Sequence, residues 1–229
     1  MLLVEKEETQ STNDDARALA LGGAPHGAAV LAARQRSGRG RDGRSFASPA
    51  GGLYLSVVLR PRAPVATWRL LPLLAGVATA SALRPSGVPA EVKWPNDVML
   101  GAKKLGGILV ESRLDARPFA IVGIGLNVAR APEAVPEATA LAAHARAPDV
   151  RALAEAVRAG LLARVARLDE GGARAVLPEV RAYCGTLGRR VVWEKMEGVA
   201  LDVDEDGALL VETLGQKRRI VVGDVRVAQ

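Results

Sequence analysis

Apolar positions come in short blocks through the first 130 residues, and their spacing switches between strand-like and helix-like. Residues 28–34 form an apolar run that turns polar only at its end, and 53–60 alternate, so both predict strands. Residues 119–128 are almost wholly apolar but contain Gly123 and Gly125, glycines that in a strand mark close approach of a ligand or another backbone. Residues 91–100 and 106–113 predict a hairpin turning through Gly101-Ala102-Lys103. Between the strands, Ser11-Thr12-Asn13-Asp14-Asp15 supplies a cap and first-turn acids for a helix over 16–21, which Gly22-Gly23 stops. Residues 68–83 predict a buried helix with Pro72 near its first turn. Residues 130–149 read as a surface excursion, and two helices follow over 151–168 and 172–183. After Gly185 the pattern changes to short strands at 190–194, 198–203, 208–212 and 218–222, separated by turns such as Glu205-Asp206-Gly207. The expected fold is α+β, a mixed sheet with packed helices over 1–184, followed by a small β barrel over 185–229.

Composition narrows the class. With 229 residues, 49% of them hydrophobic and 24% charged, the chain is globular and can bury a substantial core. Aromatics are only 3%, so alanine, valine and leucine must fill that core. The single cysteine, Cys184, excludes an intramolecular disulfide and fits a reducing compartment. The first residues show no basic segment of a signal peptide. The apolar stretch 70–82 is interrupted by Pro72 and Gly76, so no membrane span and a cytoplasmic location are expected. The net charge of +6 suggests anionic partners. Many arginines, however, decorate alanine-rich helical stretches such as 152–167, the usual solvated face.

Two polar clusters resist that bland reading. Gly38-Arg39-Gly40-Arg41-Asp42-Gly43-Arg44 fits the glycine spacing of a dinucleotide-binding turn, but that turn must lead directly into a helix. Here Ser45-Phe46-Ala47-Ser48-Pro49-Ala50-Gly51-Gly52 follows, then a strand, and Arg60-Pro61-Arg62 stands where a ribose-binding acid is needed. The loop is therefore an arginine-rich phosphate clamp or a nucleic-acid tail. In the second cluster, Lys93-Trp94-Pro95-Asn96-Asp97 is followed by Lys103-Lys104-Leu105-Gly106-Gly107-Ile108-Leu109-Val110-Glu111. Lysines at strand ends beside glycines can hold anions against a rigid sheet; the plain alternative is a hairpin with solvated lysines. His26 and His144 stand without partners at metal-ligand spacing, and no base accompanies Cys184 for nucleophilic chemistry.

The segments at 38–56, 93–100, 103–111 and 122–128, with Ser11-Thr12-Asn13, resemble the biotin protein ligases, also called biotin–[acetyl-CoA-carboxylase] ligases, in order and spacing over nearly the whole chain. The resemblance implies a biotin/lipoate ligase-like catalytic domain, an SH3-like C-terminal barrel, and ATP- and magnesium-dependent activation of biotin to biotinyl-5′-adenylate. Biotin then passes to a lysine of a biotin carboxyl carrier domain. Family members that act as repressors carry an N-terminal helix-turn-helix domain, which this chain lacks, so a ligase without specific DNA binding is expected. No membrane partner is expected, and a homodimer is left open.

Carried over by that resemblance, Ser11, Thr12, Asn13 and Gln35 hold the ureido end of biotin. Gly38, Arg39, Gly40 and Arg41 lie over carboxylate and phosphate. Tyr54 and Ser56 share a strand face and line the floor, and Gly107 and Leu109 form a wall. Lys104 bridges carboxylate and α-phosphate and leads the catalytic set, with Arg39, Arg41, Lys93 and Asp97. Arg41, Arg44, Phe46, Lys93, Asn96 and Asn127 form the nucleotide side. Asp97 either binds magnesium or, the favoured role, orients Lys93 and Lys104; Asn127 either meets nucleotide or caps its strand. Trp94 reads as core. Phe46 stands where the family more usually has tryptophan. Two rivals remain: a lipoate–protein ligase of the same fold, and a basic nucleic-acid-binding module. The glycine loop lacks the interleaved aromatics that stack bases, which counts against the second rival.

Overall fold

A computed structural model describes residues 2–194, 196–221, 223 and 225–228. Its main sheet has seven strands: β1 (Leu3–Thr9), β2 (Ala29–Gln35), β3 (Leu53–Leu59), β4 (Glu91–Lys93), β5 (Asp97–Leu100), β6 (Lys103–Arg113) and β7 (Phe119–Leu126). They lie in the order β1-β2-β3-β7-β6-β5-β4. Only β1 and β2 run parallel; every other neighbouring pair is antiparallel, so the sheet is mixed as expected.

Alternation along the strands divides the sheet into two faces. Leu53, Leu55, Val57 and Leu59 of β3, with Val122, Ile124 and Leu126 of β7, enter the large core. That core lies under α2 (Leu71–Leu83) and α3 (Val150–Tyr183). The opposite face carries α1 (Thr12–Leu21) over a smaller cluster that includes Ala16, Val30, Val58 and Ile121. Gly76 stands on α2 where Val92 of β4 comes close; a Cβ there would lie 2.9 Å from a valine methyl.

Three local expectations change. Residues 91–100 are not one strand: the chain reverses through Trp94-Pro95-Asn96, with the Trp94–Pro95 bond cis, and returns antiparallel so that Lys93 faces Asp97. Proline has no N–H for a ladder, which ends β4 there. The two helices expected beyond residue 150 are joined end to end within α3, with Gly172 at φ 64° and ψ −165° making the break between them. The helical stretch Val65–Ser86 is, by length and composition, long and apolar enough to cross a membrane. Neither Pro72, at the start of α2, nor Gly76 interrupts it. Its leucines are buried in the core between the sheet and α3.

The barrel expected at the C-terminus is not formed. β8 (Arg190–Trp193), β9 (Met196–Val203), β10 (Leu209–Thr213), β11 (Gln216–Ile220) and β12 (Arg226–Val227) make an open antiparallel sheet in the order β11-β10-β9-β8-β12. Among the described residues the two outer strands do not pair. β12 has two residues, too few to close a ring, and β11 presents exposed Gln216, Lys217, Arg218 and Arg219, the charged pattern of an edge strand. Val222, the last residue of the strand expected at 218–222, lies outside the described residues.

Candidate active site

Sheet register builds the floor. Directly paired residues point to the same face, so Tyr54, Gly125, Gly107, Asp97 and Lys93 form one row across β3, β7, β6, β5 and β4 on the α1 side. Ser56, Gly123 and Leu109 form the neighbouring row. Three glycines in two rows leave the sheet bare. The bare surface is the floor of a cavity of about 340 Å3, walled by Ser11–Asn13, Gln35, the loop after β2 and the Trp94-Pro95-Asn96 turn. Val225 and Arg226 of the C-terminal segment complete the rim. The Phe46 ring lies over the floor: a Cβ on Gly125 would stand 2.5 Å from its Cε1, and one on Gly107 3.7 Å from its Cε2.

At one end of the cavity the small polar residues form a closed hydrogen-bond network. The Thr12 backbone N–H and hydroxyl both reach Gln35 Oε1, at 2.8 and 3.0 Å, and Gln35 Nε2 donates to Ser48 Oγ at 2.8 Å. Ser56 Oγ lies 2.7 Å from both Thr12 Oγ1 and Asn13 Oδ1. Asn13 Nδ2 donates to Glu111 Oε2 at 2.6 Å. Ser11, Thr12, Asn13 and Ser56 are all buried, and the polar groups of Thr12, Asn13 and Ser56 are held by these partners rather than by bulk water.

At the other end the cations gather. Lys104 Nζ donates to Asp97 Oδ1 at 2.5 Å, and Lys93 Nζ is 4.0 Å from Asp97 Oδ2. Arg41 Nη1 donates to Asn96 Oδ1 at 3.2 Å, while Asn96 Nδ2 donates to the Ile108 carbonyl at 2.7 Å. Arg39 grips Asp14 with both Nη groups at 2.7 Å and faces Glu111 at 3.5 Å. The Arg39 hydrogen bonds hold the Asp14 carboxyl below its usual pKa, and Asp14 in turn raises that of the guanidinium. A depressed acid keeps its contribution above the ordinary aspartate pKa and loses it only as pH falls through the lowered value. The tie therefore persists through the neutral range. Arg36 and Arg44 also have acid partners, Glu8 and Asp42. Arg36, Arg39 and Arg44 are thus countered by carboxylates, two of which, Glu8 and Asp14, lie outside the loop.

Of the expected site residues, Ser11, Thr12, Asn13, Gln35, Arg39, Gly40, Arg41, Arg44, Phe46, Lys93, Asn96, Asp97, Lys104, Gly107 and Leu109 line this one cavity. Four expected residues do not. Ser56 stands behind Thr12 and Asn13 as their hydrogen-bond support. Tyr54 is covered as well; its hydroxyl donates to the Pro49 carbonyl at 2.8 Å, and burial pushes its pKa up to about 12. Gly38 is a close-packing point of the loop, where a Cβ would run into the Phe46 carbonyl and Ser48. Asn127 ties the end of β7 to the chain beyond it, donating from Nδ2 to the Thr139 carbonyl at 3.0 Å. Trp94 is core, 1% exposed.

Sequence reading missed the acids Asp14 and Glu111 beside Arg39 and the rim residues Val225 and Arg226. Strand parity could have found Glu111, two residues beyond Leu109 and on the same face. His26 accepts from the Arg60 backbone N–H at 3.0 Å, and burial lowers its pKa. Cys184 is buried and its thiol pKa is raised by that burial. Among the described residues no three His, Cys, Asp or Glu side chains gather as a metal site.

Residues 6–128 match the Biotin/lipoate A/B protein ligase family, and residues 186–227 the Biotin protein ligase C terminal domain. The chain is 38% identical to the biotin–[acetyl-CoA-carboxylase] ligase of Mycobacterium tuberculosis, over 95% of this chain and 86% of that one. It is 30% identical to the bifunctional ligase/repressor BirA of Bacillus subtilis, over 98% and 74%. Among solved structures, the biotin protein ligase of Aquifex aeolicus in complex with biotin and ATP superposes with a TM-score of 0.87 at 29% identity, covering 99% of both chains. The Leishmania major enzyme in complex with biotinyl-5-AMP gives 0.69 at 28%, covering 100% of this chain and 98% of that one. On fold, cavity and likeness alike, the chain belongs to the biotin–protein ligase family.

Proposed function

We propose that this protein activates biotin with ATP to biotinyl-5′-adenylate and transfers the biotinyl group to a lysine of a biotin carboxyl carrier domain. One observation carries the reading: a single cavity with a closed polar network at one end, Lys93, Lys104 and Arg41 around the other, and Arg39 between them. The first half-reaction joins two anions. A carboxylate oxygen of biotin attacks the α-phosphorus, the bond to the β-phosphate bridging oxygen breaks, and pyrophosphate leaves. Cations fixed at that point lower the repulsion and follow the charge as it moves. Lys104 takes the central position because it lies beside Gly107 on the bare floor and Asp97 aims its ammonium. In the second half-reaction the neutral amine of the carrier lysine attacks the carbonyl carbon of the mixed anhydride, and AMP departs.

Ser11, Thr12, Asn13 and Gln35 suit the ureido ring, which presents two N–H donors and one carbonyl acceptor. Arg41, Arg44, Phe46, Lys93 and Asn96 take the nucleotide, with the Phe46 ring free to cover adenine by its face alone. Magnesium belongs to this reading as the companion of ATP. Asp97 is one carboxylate already facing two lysines, so it orients them, and magnesium would be held mainly by the phosphates of ATP. Division into a catalytic part over 1–184 and a C-terminal part over 185–229 is part of the same proposal, supported by the end of α3 at Tyr183 and the second family match from 186. A cytoplasmic location is also proposed, supported by the single cysteine, which leaves the chain without an internal disulfide.

Purified protein should exchange labelled pyrophosphate into ATP when biotin and magnesium are present. Equal exchange with lipoate would remove the biotin assignment. Salt-sensitive RNA binding with no response to biotin would support the nucleic-acid reading instead.

A further inference from the structure

Glu111 stands at the junction of the polar end and the cationic loop. Its Oε2 accepts from Asn13 Nδ2 at 2.6 Å and faces Arg39 Nη2 at 3.5 Å; its Oε1 accepts from Arg17 Nη2 at 2.6 Å. Asn13 is fixed on its other side as well. Its Oδ1 accepts from Ser56 Oγ at 2.7 Å, and its side chain crosses the bare backbone of Gly123, where any Cβ would collide with it. An ionised carboxylate only accepts hydrogen bonds, so the Asn13 nitrogen must face Glu111 and its oxygen Ser56. That choice decides which donor and acceptor Asn13 offers to the cavity.

We propose that Glu111 is a positioning residue that sets two things with one side chain: the orientation of the Asn13 amide toward the ureido group, and the placement of Arg39 beside the carboxylate and phosphate. This rests on the biotin-ligase reading and extends it to a residue that touches neither reacting atom. Asp14 is the second holder of Arg39, through two bonds of 2.7 Å, while the Asn13 amide is bonded to Glu111 and Ser56 instead. The two acids therefore have separable effects.

Three variants of the full chain test this, with biotin affinity read by calorimetry, adenylate retention by its dissociation rate, and folding by urea denaturation. Glu111→Ala removes both ties and should weaken biotin binding roughly 10–100-fold, the range for one hydrogen bond to a charged group. Glu111→Gln keeps an acceptor for Asn13 but loses the charge opposite Arg39 and Arg17. It should recover most of the biotin affinity while still releasing adenylate faster than wild type. Asp14→Asn should shorten adenylate retention more than it weakens biotin binding. A merely structural ion pair would lower stability and move both ligands together, with no recovery by glutamine. The proposal is overturned if Glu111→Ala leaves biotin affinity within threefold of wild type, or if Glu111→Gln binds biotin no better than Glu111→Ala. Should Glu111→Ala not fold, a Glu111→Gln protein that loses biotin affinity and adenylate retention in equal measure overturns it as well. Wild-type protein that exchanges no pyrophosphate with biotin overturns the ligase reading and this inference together; normal wild-type exchange with either failing pattern overturns this inference alone.

Discussion

At the scale of single residues, Lys104 is where the chemistry concentrates. It is only about one-third exposed, its ammonium is aimed by Asp97, and the floor beside it is bare glycine. Removing one such cation from a site of charge transfer typically costs ~10²–10³ in rate. Lys104→Ala should lower adenylate formation by that factor in single-turnover assays; a rate within threefold of wild type would reduce it to an ordinary hairpin lysine. Gly125 offers a complementary test of the floor. A Cβ there would stand 2.5 Å from the Phe46 ring, the free end of a side chain that can swing aside. Gly125→Ala should therefore leave the urea midpoint nearly unmoved yet weaken biotin binding, and unchanged affinity would show that the ligand does not lie over this row. The two cationic clusters were legible in the sequence, because lysines and arginines beside glycines make little sense in a core, and the role of each residue in them followed from the family resemblance. What was not legible was their countercharge: Asp14 and Glu111 are 97 positions apart and meet at Arg39 only through the fold.

Elements were legible wherever spacing alone decides them and illegible where pairing decides. β2, β3, β6 and β7 and both halves of α3 follow from the spacing of apolar positions, whereas β1, whose middle is the charged Glu5-Lys6-Glu7, was not expected and is a strand only through its parallel pairing with β2. The reversal at Trp94-Pro95-Asn96 hides inside a run that reads as continuous strand, since only the antiparallel return of Asp97 to Lys93 reveals it. The barrel failed for the same reason. Four short strands predict a sheet, but closure depends on the outer strands meeting, and among the described residues charged β11 and two-residue β12 do not. The break in α3 gives a test at this scale. Gly172 at φ 64° and ψ −165° occupies backbone space that is essentially reserved for glycine. Gly172→Ala has open space for its methyl yet should destabilise the protein by about 1–3 kcal/mol from backbone strain alone. A urea midpoint equal to wild type would mean that the two helical segments can realign at no cost.

For the whole molecule, Trp94 joins the catalytic sheet to the C-terminal one. Its backbone N–H donates to Thr186 Oγ1 at 2.9 Å, and its indole Nε1–H to the Gly207 carbonyl at 2.9 Å. The same apolar cluster runs from the main sheet through Trp94 to Val191, Ala200, Val203, Leu209 and Val211. Surface ties support the contact: Arg181 grips Asp202 at 2.6 and 3.0 Å, and Arg69 reaches Asp206 at 3.0 Å. Lys93, Pro95 and Asn96, which line the cavity, flank Trp94 in sequence, so the joint and the nucleotide side share one turn. Trp94→Phe keeps most of the apolar bulk but leaves the buried Gly207 carbonyl without its donor, at a cost of about 1–3 kcal/mol. Because one core spans both sheets, unfolding should remain a single transition, moved to lower urea and seen at the same midpoint by circular dichroism and by the fluorescence of Trp193 and Trp68. ATP affinity should fall more than biotin affinity, since the loosened turn carries Lys93 and Asn96 while Ser11, Thr12 and Asn13 sit elsewhere, at the start of α1. Two separated transitions, or equal losses for both ligands, would show that the C-terminal sheet is an independent appendage rather than part of the frame that holds the site.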